Sequence, residues 1–261
     1  MGHILAIANQ KGGVGKTTTV VNLGAALAER GQHVLLIDLD PQGALTAACG
    51  LDPYTAAPSS YTLLTQDGVR LGQAVRSIGE HLWLAPGSVD LAAAEYLLMS
   101  RPDRARRLAA PLHSEADQVA YVLIDTPPSL GLLTVNALTA AEAVLVPVEC
   151  RYLAMRGVRA ILDTVGTVRE RLNPSLDLLG ILATMHQPGS AHSRQVIEEL
   201  RAAFHERMFE TVIELDEALA TAPAARLPVL AHRPESAAAN AYRRLASEVE
   251  ARLAPSPPPR A

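Results

Sequence analysis

Short apolar runs alternate with longer amphipathic stretches along the whole chain. Residues 3–8, 33–39, 82–85, 121–125, 143–148 and 178–184 predict strands, several of them nearly continuous Val, Ile and Leu. That pattern belongs to strands covered on both faces. Helical periodicity predicts helices over 16–30, closed by Gly31; over 153–172, stopping ahead of Asn173-Pro174; over 193–207; and over 236–253. Strand and helix in alternation predict parallel βαβ units with right-handed crossovers. The expected fold is therefore α/β, a mostly parallel twisted sheet with helices on both faces. No interior linker divides it, so residues 1–254 read as one domain. Residues 52–60 have loop composition, and the proline-rich 255–261 read as a disordered tail.

Composition narrows this picture. Of the 261 residues 49% are hydrophobic, which excludes disorder of the whole chain, and only 3% are aromatic. Alanine, valine and leucine dominate, which suits helices on a buried sheet better than an aromatic-rich sandwich. A net charge of −4 argues against a basic coat for nucleic acid. Cys49 and Cys150 are too few for a disulfide framework and read as thiols of a reducing cytoplasm. The histidines are scattered without metal-ligand spacing. No apolar run approaches the ~18 residues of a membrane span, and the early first strand leaves no room for a signal peptide. The expected location is cytoplasmic.

The sharpest chemical signal follows the first strand. Lys11-Gly12-Gly13-Val14-Gly15-Lys16-Thr17-Thr18 leads directly into a helix. Glycines there let backbone N–H groups turn around a phosphate, and the helix N-terminus adds its dipole. Lys16 is placed to reach the β- and γ-phosphates and the Thr17 hydroxyl to ligate Mg²⁺. The general P-loop pattern has glycine where this chain has Gln10, and a second lysine, Lys11, opens the loop. Asp38 and Asp40 end the second strand, and Asp125 ends the 121–125 strand, positions where a hard cation beside a P-loop needs ligands.

Asn9-Gln10-Lys11-Gly12-Gly13-Val14-Gly15-Lys16-Thr17-Thr18 resembles the deviant Walker A motif of the ParA/MinD ATPases, the ParA branch in particular. Residues 35–43 and 121–129 resemble the family's second motif and its Walker B strand, and the likeness continues over nearly the whole chain except about 50–115 and the tail. The resemblance implies a P-loop NTPase fold and a short form without an N-terminal helix-turn-helix. It also implies ATP and Mg²⁺ as cofactors, a homodimer formed on ATP binding, and weak hydrolysis stimulated by a ParB-like partner during chromosome or plasmid partition. By the same resemblance Lys11 reaches the phosphates of the nucleotide in the other subunit, and Asp40 positions the attacking water. Asp38 supports the Mg²⁺ shell, and Asp125 holds the metal through water.

This chain departs from the family where DNA is held. Glu214, Asp216 and Glu217 stand where relatives carry cations that touch DNA and help hold the nucleotide, and Arg151 and Arg156 stand where relatives carry glutamates. Carboxylates repel phosphate, so nonspecific DNA binding is expected to be weak or to use a relocated patch of Arg194, Arg201, Arg243 and Arg244. A slipped alignment would instead nominate Arg226 or Arg233, and Arg101, Arg104, Arg106 and Arg107 form a further cluster. The alternative is a cargo-positioning ATPase that does not use nonspecific DNA binding, or a MinD-like spatial regulator at a membrane. Against the latter, the last helix offers only the narrow stripe Tyr242, Leu245, Val249 and Leu253, so no membrane contact is expected. An iron–sulfur reductase on the same scaffold would need its cysteines presented together.

Overall fold

The computed structural model describes residues 2–115, 118–151 and 154–254. Its strands are β1 (His3–Ile7), β2 (Val34–Asp38), β3 (Arg76–Gly79), β4 (Leu82–Ala85), β5 (Tyr121–Asp125), β6 (Ala143–Glu149) and β7 (Asp177–Thr184). They form one sheet in the order β3-β4-β2-β5-β1-β6-β7. Every neighbouring pair is parallel except β3 with β4. β3 escapes the hydropathy pattern because it is a four-residue edge strand, alternately half-buried and exposed, whose register shifts between Ser77 and Gly79.

Helices α1 (Lys16–Glu29), α2 (Ala44–Ala48), α3 (Ser60–Thr65), α4 (Leu71–Ala74), α5 (Leu91–Leu98) and α6 (Ala109–Glu115) belong to the first half. The second half adds α7 (Leu132–Ala140), α8 (Ala154–Arg171), α9 (Ala191–Phe204), α10 (Glu217–Ala225), α11 (Val229–His232) and α12 (Ala237–Leu253). Strand residues divide by the period of two. Leu35, Ile37, Ile124 and Val146 face one core, shared with α7, α8 and α9. Val34, Leu36, Leu123 and Leu145 face the other, shared with α1 and α12.

The predicted strands and long helices are present within a few residues at each end. The 193–207 helix ends at Phe204 and passes into a 3₁₀ turn, His205–Arg207, where His205 has φ 44°. Leu153 and the 255–261 tail lie outside the described residues. The segment with the weakest sequence signal, 50–115, holds α3 to α6 and the β3–β4 edge.

The α12 stripe is consumed by packing. Tyr242, Leu245 and Val249 are buried in the core shared with α1, and Leu253 packs against its rim. Among the described residues no helix is long and apolar enough to cross a membrane.

Candidate nucleotide site

The ends of β1, β2 and β5 put the loop and three carboxylates together, as parallel sheets do at their carboxyl edge. Gly13 and Gly15 adopt φ 71° and 86°, conformations a side chain resists. Gly15 is also the N-cap of α1, and no side chain caps that helix. Its first N–H groups are thus left to a ligand that accepts hydrogen bonds, which suits phosphate. The loop is braced from behind: Val14 O accepts from Thr184 Oγ1 at 2.9 Å, and Asn9 donates to Pro147 O at 2.7 Å.

Lys16 is buried, and its Nζ donates to Lys11 O at 3.2 Å, across the loop. Burial pulls its pKa down, while Asp125 and Asp40 pull it up. Thr17 Oγ1 donates to Asp125 Oδ2 at 2.6 Å. Asp125 is fully buried, and its Oδ1 has no hydrogen-bond partner. Burial first, and then Asp38, push its carboxyl well above the usual carboxylate range. An orphaned, buried carboxylate oxygen beside a threonine hydroxyl is costly in an empty protein and is what a hydrated divalent cation satisfies. The residues fit Mg²⁺, with Thr17 and Asp125 placed to hold it.

Asp38 behaves differently. Its Oδ2 accepts from Thr46 N at 2.9 Å and Thr46 Oγ1 at 2.6 Å, and its Oδ1 accepts from Asp40 N at 3.0 Å. Protein donors therefore occupy both oxygens, and any service to a metal shell is indirect, through the placement of Asp40. Burial raises the Asp38 pKa to about 6 despite those bonds. Asp40 accepts from Gln42 N at 2.9 Å and stays at the edge of solvent, 9% exposed, where a water can reach it. Thr46 was not singled out in the sequence. It lies eight residues past Asp38 and follows no motif spacing.

Lys11 is exposed at the front of the loop, and its Nζ lies 2.6 Å from Glu149 Oε2 of its own chain. Its neighbours Gln10 and Gly12 are exposed, whereas Thr18 is half-buried in the first turn of α1, where its O accepts from Asn22 Nδ2 at 2.8 Å.

Beside the loop opens a cavity of about 210 Å³, lined by Gly15, Thr18, Met185, Ile213, Leu215 and Leu219 among others. Its apolar walls suit the flat face of a purine. Two distant segments meet here, because His186 N donates to Ile213 O at 3.1 Å and Leu215 N to His186 O at 2.9 Å. The acidic segment thus lies beside the nucleotide loop. Asp216 is an α10 N-cap, accepting from Ala218 N at 2.8 Å, and its other oxygen accepts from Ala238 N at 3.1 Å. Its charge is absorbed by two helix N-termini, whereas Glu214 and Glu217 are exposed.

The arginine patch expected from the sequence is not one surface. Arg194 and Arg201 lie on α9, over one face of the sheet; Arg243 and Arg244 lie on α12, over the other. Arg243 is also held by Glu29, at 2.7 and 2.9 Å. The Arg101–Arg107 cluster is internal bracing: Arg101 and Arg107 share Asp67 and Asp103, Arg104 donates to Met99 O, and Arg106 donates to Leu172 O. Arg226 is the left-handed C-cap of α10.

A glycine loop opening a helix, with a hydroxyl and a carboxylate at the adjacent strand end, defines a P-loop nucleotide-binding protein. A family profile described as AAA domain matches residues 2–178. The chain is 42% identical over 251 residues to the sporulation initiation inhibitor protein Soj of Bacillus subtilis, covering 96% of this chain and 99% of that one. To the chromosome-partitioning ATPase Soj of Thermus thermophilus it is 46% identical over 250 residues, covering 95% and 96%. Among solved structures, cobyrinic acid a,c-diamide synthase of Mycobacterium smegmatis with bound ADP and magnesium superposes with TM-score 0.83. The identity there is 41%, over 95% of this chain and 93% of that one. The chain belongs to the ParA family of P-loop ATPases.

Proposed function

We propose that this protein is a ParA-type partitioning ATPase. It binds ATP and Mg²⁺, pairs with a second copy around the nucleotides, and hydrolyses ATP to position DNA or another cargo with a ParB-like stimulating partner. The observation that carries the reading is the uncapped N-terminus of α1, which Lys16 itself opens, together with the orphaned Asp125 Oδ1 that Thr17 touches through the other oxygen. The N–H groups and Lys16 suit phosphate, and the orphaned carboxylate oxygen suits a divalent cation held beside it. Mg²⁺, when bound, neutralises phosphate charge. Lys16 holds the β/γ-phosphates, the loop N–H groups orient them, and Asp40 orients a water for attack on the terminal phosphorus. Little covalent work falls to the protein in such chemistry. Lys11 supplies a cation to the phosphates of the paired copy.

Size exclusion with ATP and with ADP tests this. Lys11→Ala should bind ADP as the wild type does yet fail to dimerise with ATP, and equal loss of both nucleotides would place Lys11 in its own subunit's site. DNA is the cargo that the names of the relatives support. Because α9 and α12 lie over opposite faces, charge reversal of Arg194 with Arg201 and of Arg243 with Arg244 should not act alike. We expect the α9 pair to carry the salt-dependent binding of plasmid DNA, and loss confined to the α12 pair would reverse that assignment.

Thiol-based chemistry on this scaffold would need a reactive cysteine. Burial pushes the thiols of Cys49 and Cys150 up to about 12 and about 11, which leaves both protonated and poorly nucleophilic. The same two residues pack over opposite faces of the sheet, which disfavours a shared cluster.

A further inference from the structure

At the end of β6, beside the phosphate loop, stands a carboxylate that the hydrolysis chemistry does not use. Glu149 keeps only 10% of its side chain exposed. Its Oε2 accepts a 2.6 Å hydrogen bond from Lys11 Nζ, and its Oε1 lies 2.9 Å from Arg151 Nε. The lysine is also fixed from its backbone, since Lys11 N donates to Asn9 Oδ1 at 3.0 Å. Helix α8 closes over both residues at Gly157, where an added Cβ would lie 3.4 Å from Asn9 Oδ1 and 4.0 Å from Lys11 Cβ. In this single chain, the ammonium expected to serve a facing nucleotide is therefore tied down at home.

We propose that Glu149 is a positioning residue that stows Lys11 in the unpaired chain and yields it when two ATP-loaded copies meet. The proposal rests on the reading of Lys11 as a cation acting across the interface. A phosphate of the facing copy has to compete with Glu149 for that Nζ, because two anions drawn to one ammonium repel each other. Two features set the balance between these states. The triphosphate carries several negative charges, which attract the ammonium and repel the carboxylate. Arg151, with 64% of its side chain exposed, remains on Glu149 after Lys11 departs, so the nearly buried carboxylate is not left unpaired. Glu149 accordingly raises the threshold for pairing, and Arg151 lowers it.

The two roles have opposite signs, which a merely structural cluster would not produce. The midpoint protein concentration for dimerisation, read by sedimentation with a non-hydrolysable ATP analogue, is the measurement. Glu149→Gln should lower that midpoint about three- to tenfold, the range of a partly exposed ion pair. Arg151→Ala should raise it by a similar factor. The double variant should behave as Glu149→Gln alone, because Arg151 acts only through Glu149. Added salt should shrink the gap between wild type and Glu149→Gln. ADP affinity serves as the check on folding, and Glu149→Asp, with its carboxylate one methylene shorter, should fall between. A midpoint for Glu149→Gln that is unmoved or raised overturns the proposal, as do same-sign shifts for both single variants. Failure of the underlying reading looks different: Lys11→Ala would then dimerise like the wild type. If Lys11→Ala fails to pair while Glu149→Gln is unchanged, only the stowing role is lost.

Discussion

The carboxylate end of the nucleotide site and its apolar end are built in opposite ways. At the first, Asp40 and Asp125 act on one buried ammonium, Lys16, and an Asp125 carboxylate oxygen is left without a partner. At the second, Met185, Ile213, Leu215 and Leu219 surround a cavity whose backbone pairings are made and whose acid, Asp216, is capped into two helices. One end holds electrostatic stress that a ligand relieves; the other is at rest with or without one. Binding specificity for charge and for the base should therefore respond to different variables. The charged end depends on pH and Mg²⁺, and the apolar end on neither.

The largest expected effect removes Lys16, the one Lys or Arg that is buried among the described residues. Lys16→Ala should weaken ATP binding at least about 100-fold, roughly 3 kcal/mol, and abolish ATP-dependent pairing. Calorimetry with and without Mg²⁺ measures it, and a variant that still pairs with ATP would break the contrast at its centre. Asp40→Ala should lower turnover about 100-fold while ATP affinity stays within about threefold, trapping the ATP-bound pair. Steady-state rates beside equilibrium binding distinguish this from a general collapse of the site.

Asp125→Asn sharpens the comparison through stability. The Asp125 carboxyl is raised in the folded state, so the native protein favours its protonated form. Stability is then greatest below the unfolded carboxylate pKa and falls as pH rises through the folded value. Asparagine carries no such charge. Without nucleotide or Mg²⁺, Asp125→Asn should match the wild type near pH 4 and be the more stable of the two at pH 7, although its Mg²⁺-dependent ATP binding is lost. Urea unfolding across that range checks the sign, and a variant less stable than wild type at pH 7 would show that the site is not stressed. At the apolar end Leu215→Ala should raise the Kd for ADP and ATP alike, about fivefold, with no change between pH 6 and 8. Smallest of all, Arg243→Ala should cost less than about 1 kcal/mol in thermal unfolding, since its pair with Glu29 is solvent-exposed.

The phosphate loop, the strand-end aspartates and the alternating α/β plan were all legible in the sequence. Each is a local matter: glycines and lysines at fixed spacing along a few residues, or apolar periods of two and 3.6. What escaped was what distant segments do to one another. Thr46 fills Asp38, Glu149 holds Lys11 across 138 residues, and the 185–186 and 213–215 segments join to wall the apolar cavity. The arginine patch failed for the same reason. Four arginines look alike in a sequence, but sheet alternation sends α9 and α12 to opposite faces. The sequence by itself determined which groups can carry phosphate chemistry, because backbone conformation and charge belong to single residues. Only the tertiary structure decided which of those charges are paired, stowed or left unsatisfied, because burial and partnership depend on contacts between elements far apart in the chain.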